Sequence, residues 1–193
     1  MSSAPQAVPA PAQVKTLTFT TLRGFLLEHF DAEANRRIRG ELDLQTRTLL
    51  DEAEPGAWAL ELQMQALMRA VYEQVLRRDD DAYLEFARAL AAVGITRFMK
   101  IFLSLASARF VLRRIPVVWD RLRRNAGQVT TELAPGVVRI RYQNFPFFGD
   151  KLYRLLSIAN CQALVFAATN RIPPARVVEY SDDSLLLEFD LEL

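Results

Sequence analysis

The hydrophobic pattern of this 193-residue chain changes its period at Gly127. Before that residue, apolar side chains recur every three to four positions, which is typical of helices that bury one face. After it, Val129, Thr131 and Leu133 alternate with polar neighbours, which is typical of a strand with one buried face. A chain that places helices before strands in this way is expected to adopt an α+β fold with an antiparallel sheet.

Two hairpins follow from the alternation. One turn is supplied by Pro135 and Gly136, and the other by the polar residues 181–183. The strand-forming runs on either side of these turns are 129–133, 138–142, 176–180 and 185–193. A slip of one residue in the last run would expose all of its inward side chains, so its register should be firm. If that run neighbours 138–142, its acidic residues would lie opposite Arg139 and Arg141.

A helix separates the two hairpins. Asp150 can accept hydrogen bonds from the free N–H groups that open the apolar stretch 151–170. We therefore predict an α+β fold with an N-terminal helical cluster followed by a four-stranded antiparallel sheet made of two hairpins with an intervening helix. The chain length favours a single domain over 14–193, and the proline- and alanine-rich start predicts a disordered tail over 1–13.

Composition narrows the classes of function. The 24 basic and 23 acidic residues give a net charge of +1, so the molecule as a whole is not attracted to nucleic acid. Cys161 is the only cysteine, which excludes an intramolecular disulfide and a multi-cysteine metal site. The charge-free apolar runs are shorter than the roughly 20 residues that span a bilayer. We predict a cytoplasmic protein with no transmembrane segment and no nucleic-acid partner.

The stretch 94–125 begins apolar and ends basic. Its first half predicts a helix over 95–112 that is apolar around most of its circumference and crosses the core. Pro116 should end that helix, and the residues after it predict a second helix at an angle. The second half gathers five arginines against the single acid Asp120. These arginines form either a solvated face or a docking site for an anionic partner: Arg113, Arg114, Arg121, Arg123 and Arg124.

Aromatic residues supply two further candidate sites. An apolar pocket between the 95–112 helix and the sheet would take a small hydrophobic or anionic ligand, although core packing explains the same residues equally well. Its lining would come from Phe98, Phe102, Phe110, Trp119 and Tyr142. The loop 144–148 would form a contact patch for a protein partner if its rings are exposed. These rings are Phe145, Phe147 and Phe148.

The sequence contains no catalytic motif that we recognise. It has no glycine-rich nucleotide-binding motif, no phosphate-binding loop and no Gly-x-Ser-x-Gly. Its one histidine, His29, has no nucleophile partner nearby in the sequence, and the acidic triplet 79–81 is explained as the cap of the following helix. We predict a protein without enzymatic activity, metal or cofactor.

The order of segments resembles two known families. The runs VKTLTFTTLRGFLLEHF, LEFARALAAVGITRFMK and LRRIPVVWDRLRRNAGQVTTEL, followed by a helix between two hairpins, resemble a paralogous family found mainly in myxobacteria, of similar length and unknown function. More distantly, the element order is similar to that of the haem-nitric-oxide-binding and four-vinyl-reductase-type sensor domains, which implies a small-molecule sensor. A haem sensor of that kind has an axial histidine on the helix before the sheet and a Tyr-x-Ser-x-Arg set. This sequence has neither, because His29 lies in the first helix.

Two functional hypotheses remain. The main one is a non-enzymatic protein-interaction or scaffold module in signalling or regulation, which binds a protein partner or a second copy of itself as a homodimer. It requires no motif that the sequence lacks. The alternative is a small-molecule-sensing domain with an apolar pocket beside the 95–112 helix.

Overall fold

The structure is a computed structural model that describes residues 10–95 and 106–191. The N-terminal helices are α1 (Leu17–His29), α2 (Ala32–Gly40), α3 (Leu44–Glu52), α4 (Glu61–Gln74) and α5 (Asp80–Gly94). Three short strands are β1 (Gln13–Lys15), β2 (Trp58–Leu60) and β3 (Arg123–Arg124). The remaining elements are α6 (Ala108–Arg113), α7 (Ile115–Leu122), β4 (Gln128–Ala134), β5 (Val137–Gln143), α8 (Lys151–Thr169), β6 (Ala175–Tyr180) and β7 (Leu185–Asp190).

The predicted four-stranded antiparallel sheet is confirmed. Its order is β4-β5-β7-β6, so the two hairpins join through their second strands. Buried side chains such as Ile140 and Leu187, which pair across β5 and β7, face the core. On the opposite face Arg139 lies across from Glu188, as predicted, whereas Arg141 lies across from Leu186 rather than from an acid.

A small second sheet, in the order β2-β1-β3, was not predicted from the sequence. Gln13 pairs with Leu60 on one side and with Arg124 on the other, so the sheet joins three distant parts of the chain. Strand β1 starts at Gln13, which is the last residue of the predicted tail, and the preceding Ala12 is buried. Residues 1–9 of that tail lie outside the described ranges.

The start of α4 differs from the sequence prediction. Apolar residues after Pro55 and Gly56, among them Leu60 and Leu62, form a wide stripe at helical spacing, which predicts a helix that opens at Pro55. In the structure, residues 58–60 are extended and the helix begins at Glu61. Leu60 and Leu62, which the predicted apolar stripe placed in the core, are exposed. The extended conformation of β2 shifts the helical phase, so that Glu61 points inward instead.

The helix predicted over 95–112 is not continuous at its C-terminal end. Ser107 has an extended backbone and accepts a hydrogen bond from the Phe110 N–H, so it caps a new helix, α6. Phe98 and Phe102 lie outside the described residues. Pro116 occupies the first turn of α7, which confirms the prediction of a separate helix there.

Helix α8 joins two hydrophobic clusters. The first lies among α1 to α5, and the second lies between α8 and the inner face of the four-stranded sheet. Leu152, Leu156 and Ala159 belong to the first cluster, whereas Tyr153, Ile158, Cys161 and Val165 belong to the second. By length and composition alone α8 could cross a membrane, but in this fold it is the helix that both clusters share.

Local signals in the sequence account for several element boundaries. Asp79 caps α5 by accepting hydrogen bonds from the N–H groups of Asp81 and Ala82, and Asp150 caps α8 through Leu152, as predicted. Gly127 has φ of +71°, and a Cβ atom there would lie 1.8 Å from the carbonyl oxygen of Gln143. The turn into β4 therefore requires glycine.

Candidate functional site

An aromatic cluster in the second core contains residues from both predicted aromatic sites. The ring of Trp119 lies 5.1 Å from that of Tyr142 and 5.0 Å from that of Phe145. Phe148 lies 5.4 Å from Tyr142, and Tyr153 lies 5.6 Å from Phe145. Three of these pairs are edge-to-face and the Tyr142–Phe148 pair is tilted. Edge-to-face pairs add about 0.5–1.5 kcal/mol each beyond area burial. The cluster therefore stabilises the C-terminal half of the molecule.

The expectation of an exposed contact patch on the loop 144–148 is wrong for two of its three rings. Phe145 and Phe148 have no solvent-exposed surface, and Phe147 is only partly exposed. The loop folds against the turn of the second hairpin, because the N–H groups of Phe145 and Phe148 donate to the carbonyls of Asp183 and Asp182. These bonds direct the rings into the core, where burial of their apolar area is favourable.

Two of the predicted pocket residues are buried against each other. Trp119 and Tyr142 pack in the aromatic cluster and line neither of the two clefts described below. The Tyr142 hydroxyl lies 3.7 Å from the Cys161 sulfur. Burial raises the pKa of the Cys161 thiol to about 12, so it stays protonated at neutral pH and is a poor nucleophile. Phe110, in contrast, is half-exposed on α6.

The five predicted arginines divide into two groups. Arg113, Arg114, Arg121 and Arg124 are exposed, as a docking face requires. The inclusion of Arg123 in that face is wrong, because its side chain is only 9% exposed. Its guanidinium points inward and lies 3.2 and 3.3 Å from the two carboxylate oxygens of Glu61.

Glu61 is the centre of a buried polar group that sequence reasoning missed. The Tyr153 hydroxyl donates to its Oε1 at 3.0 Å, and the Arg123 guanidinium lies 4.3 Å from the ring centroid of Trp119. Burial and the charge of Glu61 raise the pKa of Tyr153 well above its ordinary value, so the hydroxyl remains a donor. The group links α4, β3 and α8. A lone glutamate within an apolar stripe gave no signal of this partnership.

A second polar connection joins α4 to the start of α8. Gln65 and Arg69, one helical turn apart, donate to Asp150 Oδ2 at 2.8 and 2.7 Å. Burial alone would raise the pKa of Asp150, but the Leu152 N–H and the side chains of Arg69 and Gln65 outweigh it and hold the pKa below its usual range. These bonds fix charges in place, which suits a structural role.

Tyr83 is a buried hydroxyl without a hydrogen-bond partner among the described residues. Its ring packs against Tyr72 with centroids 5.5 Å apart. Burial, followed by the charge of Asp150, raises the pKa of Tyr83. The hydroxyl therefore stays protonated.

Two open clefts are large enough for a small ligand. The α6 cleft, of about 400 Å³, lies at the described end of the predicted 95–112 helix. Its lining residues are Ser107, Ala108, Arg109, Gly136 and Leu191. The α3 cleft, of about 530 Å³, is lined by Leu44, Gln45, Thr48, Leu49 and Gln63.

The residues present do not fit a haem held by histidine. His29, the only histidine, is the last residue of α1; it is exposed, and its ring lies 4.2 Å from that of Phe25. Over residues 10–95 and 106–191, no group of three His, Cys, Asp or Glu side chains is placed to hold a metal ion. Histidine ligation of the kind that the resemblance implies therefore has no donor in the interior.

Comparison with known proteins identifies the fold. No protein-family model and no curated protein matches the sequence. The Fe(II) unliganded H-NOX protein from K. algicida has a TM-score of 0.65 at 12% identity, covering 93% of this chain and 97% of that chain. The H-NOX protein from S. oneidensis in the Fe(II)NO ligation state has a TM-score of 0.61 at 13% identity, covering 93% of this chain and 99% of that chain. An oxygen-binding H-NOX domain related to soluble guanylate cyclases, in its oxygen complex, has a TM-score of 0.61 at 10% identity, covering 92% of each chain. At these identities the comparison establishes architecture, and this chain has the fold of the haem-nitric-oxide-binding (H-NOX) domains that its element order resembles.

Proposed function

We propose that this chain is a non-enzymatic sensor domain that responds to a small molecule without a histidine-ligated haem. The observation that carries the proposal is the fold correspondence over more than nine-tenths of both chains with domains described in oxygen-bound and nitric-oxide-bound states. It favours the small-molecule-sensing hypothesis over the scaffold hypothesis. Because His29, the only histidine of the sequence, is exposed at the end of α1, the proposal does not include a histidine-ligated haem.

The α6 cleft is the site that we assign to the ligand. Ala108 and Leu191 supply apolar lining, and Ser107 and Arg109 supply polar groups, a mixture typical of small-molecule sites. One guanidinium nitrogen of Arg109 donates to the Ala134 carbonyl, so the side chain is oriented while other N–H groups remain for an anionic ligand. A small hydrophobic or anionic molecule fits this lining.

Ligand binding would act on α7, the next helix. Helix α6 is joined to α7 by the single residue Arg114. The guanidinium of the buried Arg123 lies over the ring of Trp119 in α7. A ligand shifts a conformational equilibrium only if it binds one arrangement more tightly than the other. The cleft meets that requirement if its volume depends on the position of α6 relative to the β4–β5 turn, which contributes Gly136.

A thermal-shift screen tests the ligand site. Fractions of cell extract that contain a ligand should raise the melting temperature, because binding to the folded state alone stabilises it. Arg109→Ala should abolish that increase. The matched variant Arg47→Ala, an exposed arginine on α3, should retain it. The site assignment is wrong if stabilisation survives in Arg109→Ala.

A haem titration followed by absorbance tests the second part of the proposal, that the protein does not use a histidine-ligated haem. We expect no absorption band that depends on His29, so wild type and His29→Ala should give the same spectra. A histidine-ligated spectrum that disappears in His29→Ala would show that the protein is a haem sensor after all.

The interaction hypothesis keeps one supporting observation. Leu44 and Leu62 are 72% and 62% exposed, and Leu44 lines the α3 cleft. Contiguous patches of exposed apolar side chains are typical of contact surfaces. If the chain forms a homodimer there, Leu44→Ser with Leu62→Ser should convert a dimeric mass in light scattering to a monomeric one. A monomeric wild-type protein would contradict this second candidate.

A further inference from the structure

A basic face lies on the surface of α6, α7 and β3. It consists of Arg113, Arg114, Arg121 and Arg124, all exposed. Among the described residues, none of these four side chains makes an ion pair. Elsewhere, by contrast, exposed arginines such as those of α2 and of the four-stranded sheet are paired with acids. The face therefore concentrates positive charge that no ion pair within residues 10–95 and 106–191 neutralises.

Two arginines of the basic face lie on one side of α7. Arg114 immediately precedes α7 and Arg121 lies seven residues later, so they are two helical turns apart on the same side. Arg124 follows in β3, where its guanidinium lies 4.6 Å from the ring centroid of Trp58. Lys15 lies 4.9 Å from the same ring and extends the positive charge across the small sheet.

Apolar side chains stand between these charges. Phe110 is 51% exposed and Val117 is 43% exposed, and Val117 shares the helical face of Arg114 and Arg121. The Arg114 guanidinium lies 5.2 Å from the Phe110 ring centroid. The face therefore offers cations and apolar side chains together.

We propose that the basic face docks on an anionic lipid surface. A membrane interface accepts both components at once, because its phosphates pair with arginine while its acyl boundary accepts phenylalanine and valine. Stacking on nucleic-acid bases is disfavoured, because cations of this chain already lie over the exposed ring of Phe110 and the half-buried ring of Trp58. The net charge of only +1 makes the attraction local, so it orients the molecule on a surface with α7 facing the headgroups.

Vesicle co-sedimentation tests the proposal. The probes are vesicles of phosphatidylcholine alone and vesicles that contain about one-fifth phosphatidylserine. The intact chain should bind the second kind and not the first, and binding should weaken as ionic strength rises. Arg113→Gln with Arg121→Gln should weaken binding about 25-fold, at about fivefold for each arginine. Phe110→Ser should also weaken it, because insertion of the ring is lost.

A matched double variant distinguishes the basic face from net charge. Arg36→Gln with Arg37→Gln removes the same charge from α2, where both arginines are exposed. These substitutions should leave vesicle binding unchanged. Equal weakening by both pairs, or no binding to phosphatidylserine vesicles at low salt, overturns the proposal. Melting temperatures within a few degrees of wild type would exclude misfolding as the cause of weakened binding.

Soluble and polymeric anions test whether the basic face prefers a lipid surface to other anionic partners. Soluble glycerophosphoserine should not displace the vesicles, because one headgroup engages only one or two arginines and no apolar side chain. Displacement at micromolar concentration would mean that the face is a site for a soluble phosphate instead. Tighter binding to duplex DNA or to polyglutamate than to vesicles would equally contradict the choice of lipid. None of these results depends on the ligand assigned to the α6 cleft.

Discussion

At the scale of single residues, the outcome for each arginine depends on whether it finds a buried partner. Arg123 and Arg124 are neighbours in the sequence, but strand geometry directs successive side chains to opposite faces. Arg123 therefore meets Glu61 in the interior, whereas Arg124 contacts Gln13 and Trp58 at the surface. A count of basic residues along the sequence cannot separate the two.

Removal of the Arg123 side chain should be strongly destabilising. In Arg123→Ala, Glu61 keeps its bond from Tyr153 but loses its only charge partner among the described residues while it remains fully buried. An uncompensated buried charge costs about 3–5 kcal/mol. Urea denaturation should therefore show a much lower midpoint with little change in slope.

A second arginine provides the comparison for this experiment. Arg139 also pairs with a glutamate, Glu188, but its side chain is half-exposed and Glu188 retains Arg176 as a partner. Arg139→Ala should lower the free energy of unfolding by only a small fraction of the decrease caused by Arg123→Ala. Similar losses in the two variants would mean that burial of the Glu61 pair contributes nothing.

At the scale of elements, the start of α8 should be sensitive to acid. The folded-state pKa of Asp150 is lowered, so its charge stabilises the fold above the unfolded pKa of about 3.9, and this contribution is lost as pH falls through the lower folded value. Asp150→Asn keeps a capping side chain but loses the pairing with Arg69. Wild type should be more stable than Asp150→Asn at pH 7, and the difference should shrink below about pH 4.

A variant of Arg69 tests whether its pairing with Asp150 causes this difference in stability. Arg69→Gln removes the cation that pairs with Asp150. The loss of unfolding free energy caused by Asp150→Asn should therefore be smaller in the Arg69→Gln background than in wild type. Chemical denaturation at several pH values measures wild type, the two single variants and the double variant. A loss that stays constant from pH 7 to strong acid would contradict the role of the carboxylate charge.

The elements that could be predicted from the sequence are those with a local signal. Alternation indicated both hairpins, and Asp79 and Asp150 marked the starts of α5 and α8. The small sheet was missed because strands of two or three residues are too short to show a period. The inward turn of Phe145 was missed because it depends on a hydrogen bond to Asp183, which lies far away in the sequence. The partnership of Glu61 with Arg123 and Tyr153 has the same long-range origin.

At the scale of the whole molecule, α8 couples the two hydrophobic clusters. Leu152 and Leu156 face the N-terminal helices, and Tyr153 and Cys161 face the sheet side. The buried Glu61 group and the Asp150 group add polar connections along the same boundary. Packed side chains therefore run without a break from α6 and α7, which belong to the second cluster, through α8 to the first cluster. The proposed sensor function requires such continuity, because coupling between two sites is carried by packed side chains that lie between them.

The coupling predicts a single cooperative unfolding transition. In Trp58→Phe the fluorescence of Trp119 reports on the second cluster, whereas far-UV circular dichroism is dominated by helices that mostly pack in the first. Loss of either cluster would expose one apolar face of α8, so neither should survive alone. The two probes should therefore give superimposable urea transitions. Separate midpoints would show that the clusters unfold independently, and a ligand bound at the α6 cleft would then have no route through α8 to the N-terminal helices.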